Sequence, residues 1–160
     1  IQDNSLTQIG SNNLFMAYTH IAHDCMVGSH CIMANGASIA GHVHVGDHAI
    51  IGGMTGVHQF CHIGDHCFVG ANSLILKDIP PYVMASGQPA KPFGLNSEGL
   101  KRRGFDKAVI LNIKRAYKAV YRQGLTIDEA MDKIASLDGN MVELGFFSDF
   151  IKNSSRGIIR

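Results

Sequence analysis

The sequence predicts a mainly β chain: a parallel β-helix of hexapeptide repeats followed by a small α-helical C-terminal domain. Three observations carry this. Every sixth residue from position 9 is apolar, in twelve successive matches: Ile9, Phe15, Ile21, Val27, Met33, Ile39, Val45, Ile51, Val57, Ile63, Val69 and Ile75. The next position is mostly small (Gly10, Ala22, Gly28, Ala34, Ala40, Gly46, Gly52, Gly64, Gly70), and the position four after the apolar residue is small or a thiol (Cys25, Cys31, Ala37, Ala49, Thr55, Cys61, Cys67, Ser73). After Pro80 and Pro81 the apolar spacing changes to that of amphipathic helices.

A period of six fits neither a 3.6-residue helix nor a plain alternating strand, so each hexad must hold a short strand and a bend. Three hexads close a triangular coil, and stacked coils pair their strands about 4.8 Å apart over a continuous apolar column. The hexad pattern resembles that of left-handed β-helices, an exception to the right-handed crossover rule. Residues 18 apart then lie above one another, which stacks His23, Gly41 and Gln59 in one column and His20, Ser38 and Gly56 in another.

The expected organisation is a β-helix over 1–80, a loop over 81–97 and a helical domain over 98–160. Pro80 and Pro81 should stop the ladder, because proline cannot donate to it. SEGLKRRG reads as a helical start. DKAVILNIKRAYKAVYRQG carries an apolar stripe of Ala108, Ile110, Leu111, Ile113, Ala116, Val120 and Tyr121, with Asp106 as N-cap and Gly124 as stop. Thr126 to Glu129 reads as a capping box for a further helix, and a last helix is expected over about Asn140 to Lys152.

At 160 residues with 46% apolar content, a folded, soluble protein is expected. The apolar runs are too short to cross a bilayer, and no export signal is expected in this chain, since the residues from Ile1 onward show no charged region followed by an apolar stretch. A net charge of +1 argues against a nucleic-acid protein held by phosphate neutralisation. Cys25 and Cys61, like Cys31 and Cys67, share a column two coils apart, roughly 9.6 Å of ladder. That is too far for a disulfide, and inward thiols fit a reducing compartment.

The stretch HIAHDC, residues 20–25, reads three ways: a metal half-site, a catalytic base with its helper, or polar residues in a turn. His30, His48 and His66 share a hexad position with Asp24 and His42, which suggests solvent-facing corners. For these three, as for His44 and His62, a structural role is expected and no metal site. His23 lies under a glycine whose backbone amide no side chain obstructs, so a base and an oxyanion donor can be held on adjacent coils.

The stretch from THIAHDCMVG through GHVHVG and IIGGMTGVHQF to PPYVMASGQPAKPFGLNSEGLKRRGF, and on to the closing SSRGIIR, resembles the UDP-N-acetylglucosamine O-acyltransferases of lipid A and lipopolysaccharide biosynthesis. The resemblance implies a left-handed β-helix in a cytoplasmic homotrimer with sites between subunits. It implies transfer of an (R)-3-hydroxyacyl group from acyl carrier protein to the 3-hydroxyl of UDP-N-acetylglucosamine, with no cofactor beyond the carrier's phosphopantetheine. His23 would be the general base, Asp24 its orienting or polarising partner, and the Gly41 amide the oxyanion donor. His20, His42 and Gln59 would contact the sugar nucleotide or acyl group. Asn96, Glu98, Arg102 and Arg103 would bind nucleotide and phosphate, and Ala71 would set acyl length. Lys101, Lys114, Arg115, Lys118 and Arg122 would receive the acidic carrier protein.

Two departures accompany the resemblance. The family has further N-terminal coils carrying an acidic residue and a lysine, so an N-terminal portion is expected to be missing before Ile1. Pro89 stands where many relatives place a histidine. Rival readings are the related N-acyltransferase of the same pathway, a coenzyme A-dependent acetyltransferase, a zinc hydratase of the γ-carbonic anhydrase type and a non-catalytic trimeric module. The two other transferases lack the GLKRRGF pattern.

Overall fold

The computed structural model describes residues 6–137 and 141–160. Twelve two-residue strands follow one another at six-residue intervals: β1 (Gln8–Ile9), β2 (Leu14–Phe15), β3 (His20–Ile21), β4 (Met26–Val27), β5 (Ile32–Met33), β6 (Ser38–Ile39), β7 (His44–Val45), β8 (Ile50–Ile51), β9 (Gly56–Val57), β10 (His62–Ile63), β11 (Phe68–Val69) and β12 (Leu74–Ile75). Every third strand pairs in parallel, so three sheets form the sides of a prism, and residues 18 apart are in register. His20 pairs with Ser38 and Ser38 with Gly56.

From Val27 on the hexad positions behave as the period requires, whereas Ile9 is exposed and Phe15 and Ile21 are half-buried. The large residues Val27, Met33, Ile39, Val45, Ile51, Val57, Ile63, Val69 and Ile75 are buried, and so are Cys25, Cys31, Ala37, Ala49, Thr55, Cys61, Cys67 and Ser73. All four cysteines are free thiols, and Cys25 and Cys67 donate to the Ala40 and Pro80 carbonyls at 3.1 and 3.0 Å. At Gly28 and Gly46 an added β-carbon would collide with Asp47 and Asp65 of the coil above, which is why these bends hold glycine.

The corners are turned by one left-handed residue each. Asn12, Tyr18, Asp24, His30, His42, His48, Met54, Phe60, His66 and Asn72 have φ between 56 and 64°, and Gly36 has φ 70°. Such angles strain non-glycine residues. The ladder offsets that strain, because the corner amides donate across coils: His42 to His23, Phe60 to Gly41 and His66 to Asp47, at 3.1, 3.1 and 2.8 Å.

The prolines end the hexad strands, and two of the three sheets stop at β10 and β12, but the third ladder continues past them. β13 (Val83–Gly87) pairs in parallel with β11 and turns back antiparallel into β14 (Ala90–Leu95), so a hairpin occupies the segment expected to be a loop. Pro92 is tolerated because β14 is the edge of that sheet, where a missing N–H costs no ladder bond.

Four helices follow: α1 (Ser97–Arg102), α2 (Lys107–Tyr121), α3 (Ile127–Ala135) and α4 (Val142–Asn153). Thr126 and Glu129 form the expected capping box, whereas Asp106 sits at the N-cap of α2 without a side-chain bond. The start expected at Asn140 lies outside the described residues. The buried face of α2 is Ile110, Ile113, Ala116, Tyr117, Ala119 and Val120; Ala108 and Leu111 face solvent, and Tyr121 is half-buried. Asp78, buried at the top of the prism, ties the tail down. It accepts from the His62 N–H at 2.8 Å and the Ser154 hydroxyl at 2.6 Å, and its carbonyl accepts from the Ile159 N–H at 2.9 Å. No helix among the described residues is long and apolar enough to cross a membrane.

Candidate active site

His23 and Asp24 sit at the corner between β3 and β4. Left-handed geometry at Asp24 turns its carboxylate back to the preceding imidazole, with His23 Nδ1 and Asp24 Oδ2 2.7 Å apart. The His23 contact, outweighing desolvation, holds the Asp24 carboxyl below the usual carboxylate range. An ionised carboxylate only accepts, so Nδ1 carries the proton and the lone pair falls on Nε2. Among the described residues Nε2 bonds to nothing, and the His23 side chain is 70% exposed.

Gly41 lies one coil above. A β-carbon there would come within 2.7 Å of both His23 Cε1 and Nε2, so glycine leaves the space the imidazole fills. On the edge of the prism that includes the corner between β4 and β5, the equivalent amides have side-chain acceptors. There Ser29 N–H donates to Asp47 Oδ1 at 2.7 Å, and Asp47 N–H to Asp65 Oδ1 at 2.8 Å, each from the coil above. Above Gly41 stands Gln59, whose exposed side chain makes no such bond, and the Gly41 N–H has no acceptor among the described residues. A free base nitrogen and a free amide therefore adjoin at one corner.

His42 closes one side. Its ring meets His23 edge-on at 5.3 Å, stacks on Phe60 at 4.7 Å, and brings Nε2 to 3.9 Å from Asp24 Oδ2. A groove of about 450 Å³ runs from this corner across the β3, β6, β9 and β12 face, over His20, Ser38, Gly56, Leu74 and His58. His58 escaped the sequence reading. The VHQF stretch held it, but hexad spacing alone does not separate an outward groove residue from an outward surface one.

Asn96, Glu98, Arg102 and Arg103 gather elsewhere. They line a cleft of about 420 Å³ on the β5, β8, β11 and β13 face with Ile50, Phe68 and Met84. Asn96 is buried: its Oδ1 caps α1 by accepting from the Gly99 N–H at 3.1 Å, and its Nδ2 donates to the His66 carbonyl at 2.9 Å. Glu98 pairs with Lys101 at 2.7 Å in solvent. The arginine pair is split. Arg102 is exposed, while Arg103 donates to the His48 carbonyl at 3.3 Å and so pins α1 to the prism. Ala71 is exposed at a third place, the corner between β11 and β12, at the far edge of the His23 groove's face.

The profile described as "Udp N-acetylglucosamine O-acyltransferase; Domain 2" matches residues 78–159, about half of the chain. The chain belongs to the UDP-N-acetylglucosamine O-acyltransferase family. Bacterial transferase hexapeptide profiles match residues 6–41 and 42–77. Proteins named acyl-[acyl-carrier-protein]--UDP-N-acetylglucosamine O-acyltransferase from Tolumonas auensis and Thiobacillus denitrificans are 60% and 56% identical over all 160 residues. The chain spans about three fifths of these relatives, 61% and 62% of their lengths. Among solved structures, LpxA from Acinetobacter baumannii superposes with a TM-score of 0.94 at 52% identity, covering 99% of this chain and 62% of that one. LpxA from Moraxella catarrhalis gives 0.91 at 50%, covering 95% and 59%. The family's repeat solenoid and helical domain are thus both present here.

Proposed function

We propose that the chain carries out acyl transfer from an (R)-3-hydroxyacyl carrier protein to the 3-hydroxyl of UDP-N-acetylglucosamine, the first step of lipid A biosynthesis. The observation that carries this is the unpartnered Gly41 N–H beside His23 Nε2. His23 Nε2 removes the proton of the sugar hydroxyl as its oxygen attacks the thioester carbonyl carbon. Asp24 holds the tautomer and stabilises the imidazolium that forms. The Gly41 N–H donates to the tetrahedral oxyanion, a contact that strengthens as charge develops. Collapse breaks the carbon–sulfur bond, and the departing thiolate takes the proton from His23. An ester replaces the thioester, and the phosphopantetheine arm is the only prosthetic group the step uses. As the family resemblance implies, the reaction would take place in the cytoplasm.

In this reading His20, His42 and Gln59 contact sugar or acyl groups around the corner. The groove over Ser38, Gly56 and Leu74 takes the acyl tail towards the corner that holds Ala71, where a small side chain suits a longer tail than a bulky one would. Arg102, with Arg103, Asn96 and Glu98, takes the nucleotide and its diphosphate, for which a guanidinium fork is suited. This cleft and the His23 corner lie on different faces of one prism, so a nucleotide reaching both would lie between two copies, in keeping with the homotrimer that the family resemblance implies. The basic α2 surface, Lys114, Arg115, Lys118 and Arg122, with Lys101 of α1, receives the acidic carrier.

The test is a transfer assay with UDP-N-acetylglucosamine and a panel of (R)-3-hydroxyacyl carrier proteins, using the chain extended to its relatives' length. One 3-O-ester formed per thiol released is expected. No ester with any donor, in protein that folds and binds the sugar nucleotide, would overturn the reading.

A further inference from the structure

Nine histidines are spread through the sequence, yet among the described residues His23, Asp24 and His42 are the one group of three potential metal donors whose ligand atoms all lie within 4.8 Å. Two imidazole nitrogens and one carboxylate oxygen are a donor set that zinc and its first-row neighbours accept, leaving a fourth position open. The carboxylate supplies the single negative charge that favours a cation over a third neutral ligand.

The geometry is close to what such an ion needs. Donors about 2.0–2.2 Å from a tetrahedral ion stand roughly 3.3 Å from one another. Asp24 Oδ2 is 2.7 Å from His23 Nδ1 and 3.9 Å from His42 Nε2, so one distance must open and the other close by about half an ångström. Two of the three donors are held by their surroundings. Asp24 and His42 sit at left-handed corners on successive coils, and His42 is braced by its stack on Phe60. The part that must turn is the exposed His23 ring. The other stacked histidines, His44 on His62 at 4.4 Å and His30 on His48 at 4.8 Å, belong to no such group.

We propose that His23, Asp24 and His42 form a binding site for a divalent transition ion of the zinc class, and that its occupation inhibits the enzyme. The ion takes the place of the proton between His23 Nδ1 and Asp24 Oδ2. It reorients the imidazole and holds it as a ligand, so Nε2 no longer meets a substrate hydroxyl over Gly41. The inhibitory half rests on the acyl-transfer reading; the binding half does not.

The experiment is a titration of the chain with zinc chloride by calorimetry, and with cobalt(II) by visible absorption, whose band intensity reports a tetrahedral N/O site. One ion per chain is expected. Asp24→Asn, which suits the left-handed corner, and His42→Gln should each weaken binding at least about tenfold. The double variant His44→Ala/His62→Ala should bind as the parent does. Melting temperatures of all variants check that they fold. No saturable binding, equal affinity in Asp24→Asn and His42→Gln, or loss of binding in the His44/His62 variant would each overturn the site. In the extended chain, zinc should abolish transfer and a chelator restore it; binding without inhibition would reject the inhibitory half. An extended chain that binds zinc but never transfers an acyl group would sink the functional reading and leave the site standing.

Discussion

The His23 imidazole fills the volume that a side chain at Gly41 would need, with two of its ring atoms 2.7 Å from the place of that β-carbon. Gly41 is not at a left-handed angle, so alanine there strains no backbone; it only evicts the ring. Gly41→Ala should therefore fold and melt close to the parent, since His23 is free to swing into solvent. Turnover should fall by on the order of 10²-fold, the usual result of displacing a catalytic group by about an ångström. Full activity in that variant would show that the ring's present seat is not the working one.

On the proposed mechanism His23→Ala removes the base, and in the extended chain it should lower kcat by about 10²- to 10⁴-fold with little change in melting temperature, because the side chain is mostly in solvent. Asp24→Asn keeps the corner but no longer forces the proton onto Nδ1. Its turnover should lie between that of the parent and that of His23→Ala. Steady-state kinetics of the three proteins side by side checks the order, and an Asp24→Asn enzyme as fast as the parent would remove the carboxylate from the mechanism.

Asn96 illustrates a proposed nucleotide contact that also has a structural task. Its side chain both caps α1 and bonds the His66 carbonyl, joining the helix to the prism. Asn96→Ala should cost about 1–2 kcal/mol from the lost cap, with the His66 carbonyl left unpaired in addition. Denaturant unfolding measures this without substrate. A variant of parental stability but weakened nucleotide binding would make Asn96 a ligand first and a cap second.

The prism was readable because its signal is local and repeated. Ile21, Val27 and Met33 announce the period, and a fixed period places His23 under Gly41 without knowledge of any side-chain angle. The hairpin over 83–95 was hidden for the opposite reason. Its second strand, AKPFGL, contains a proline and a glycine, and only the edge position beside β13 makes that sequence viable. Similarly, Tyr117 and Ala119 of α2 are buried and Ala108 is not, since the covered arc of a helix depends on what packs against it. The free Gly41 amide was legible as an unobstructed one. Its lack of a partner became visible only against the Asp47 and Asp65 bonds at the neighbouring corner. Arg103 was read with Arg102 as a pair because they are adjacent, yet one turns to the His48 carbonyl and the other to solvent.

His66 should make the fold acid-sensitive. Its ring lies between His48 at 4.8 Å and Tyr82 at 5.9 Å, Phe105 covers its edge, and its Nδ1 is buried without a partner among the described residues. Desolvation, then the nearby His48 and Arg103, push its pKa down to about 4, against a smaller opposing pull from Asp47. In the unfolded chain the same imidazole titrates near 6.5. Between these values the unfolded state binds more protons, so stability rises with pH across that window and is lost as the solution is acidified from about 6.5 towards 4. Asp24 is shifted in the same sense but in a lower window: its contribution is present above 3.8 and lost only below, so it does not account for a loss at pH 5. His66→Asn keeps a residue that two other corners, Asn12 and Asn72, hold at the same left-handed angle. Its melting temperature should be lower at pH 7 but fall less between pH 7 and pH 5 than the parent's. His44 and His48, also pushed down mainly by burial, should leave a shallower residual slope. Parallel curves for parent and variant would mean that the stacked corner does not carry the acid response.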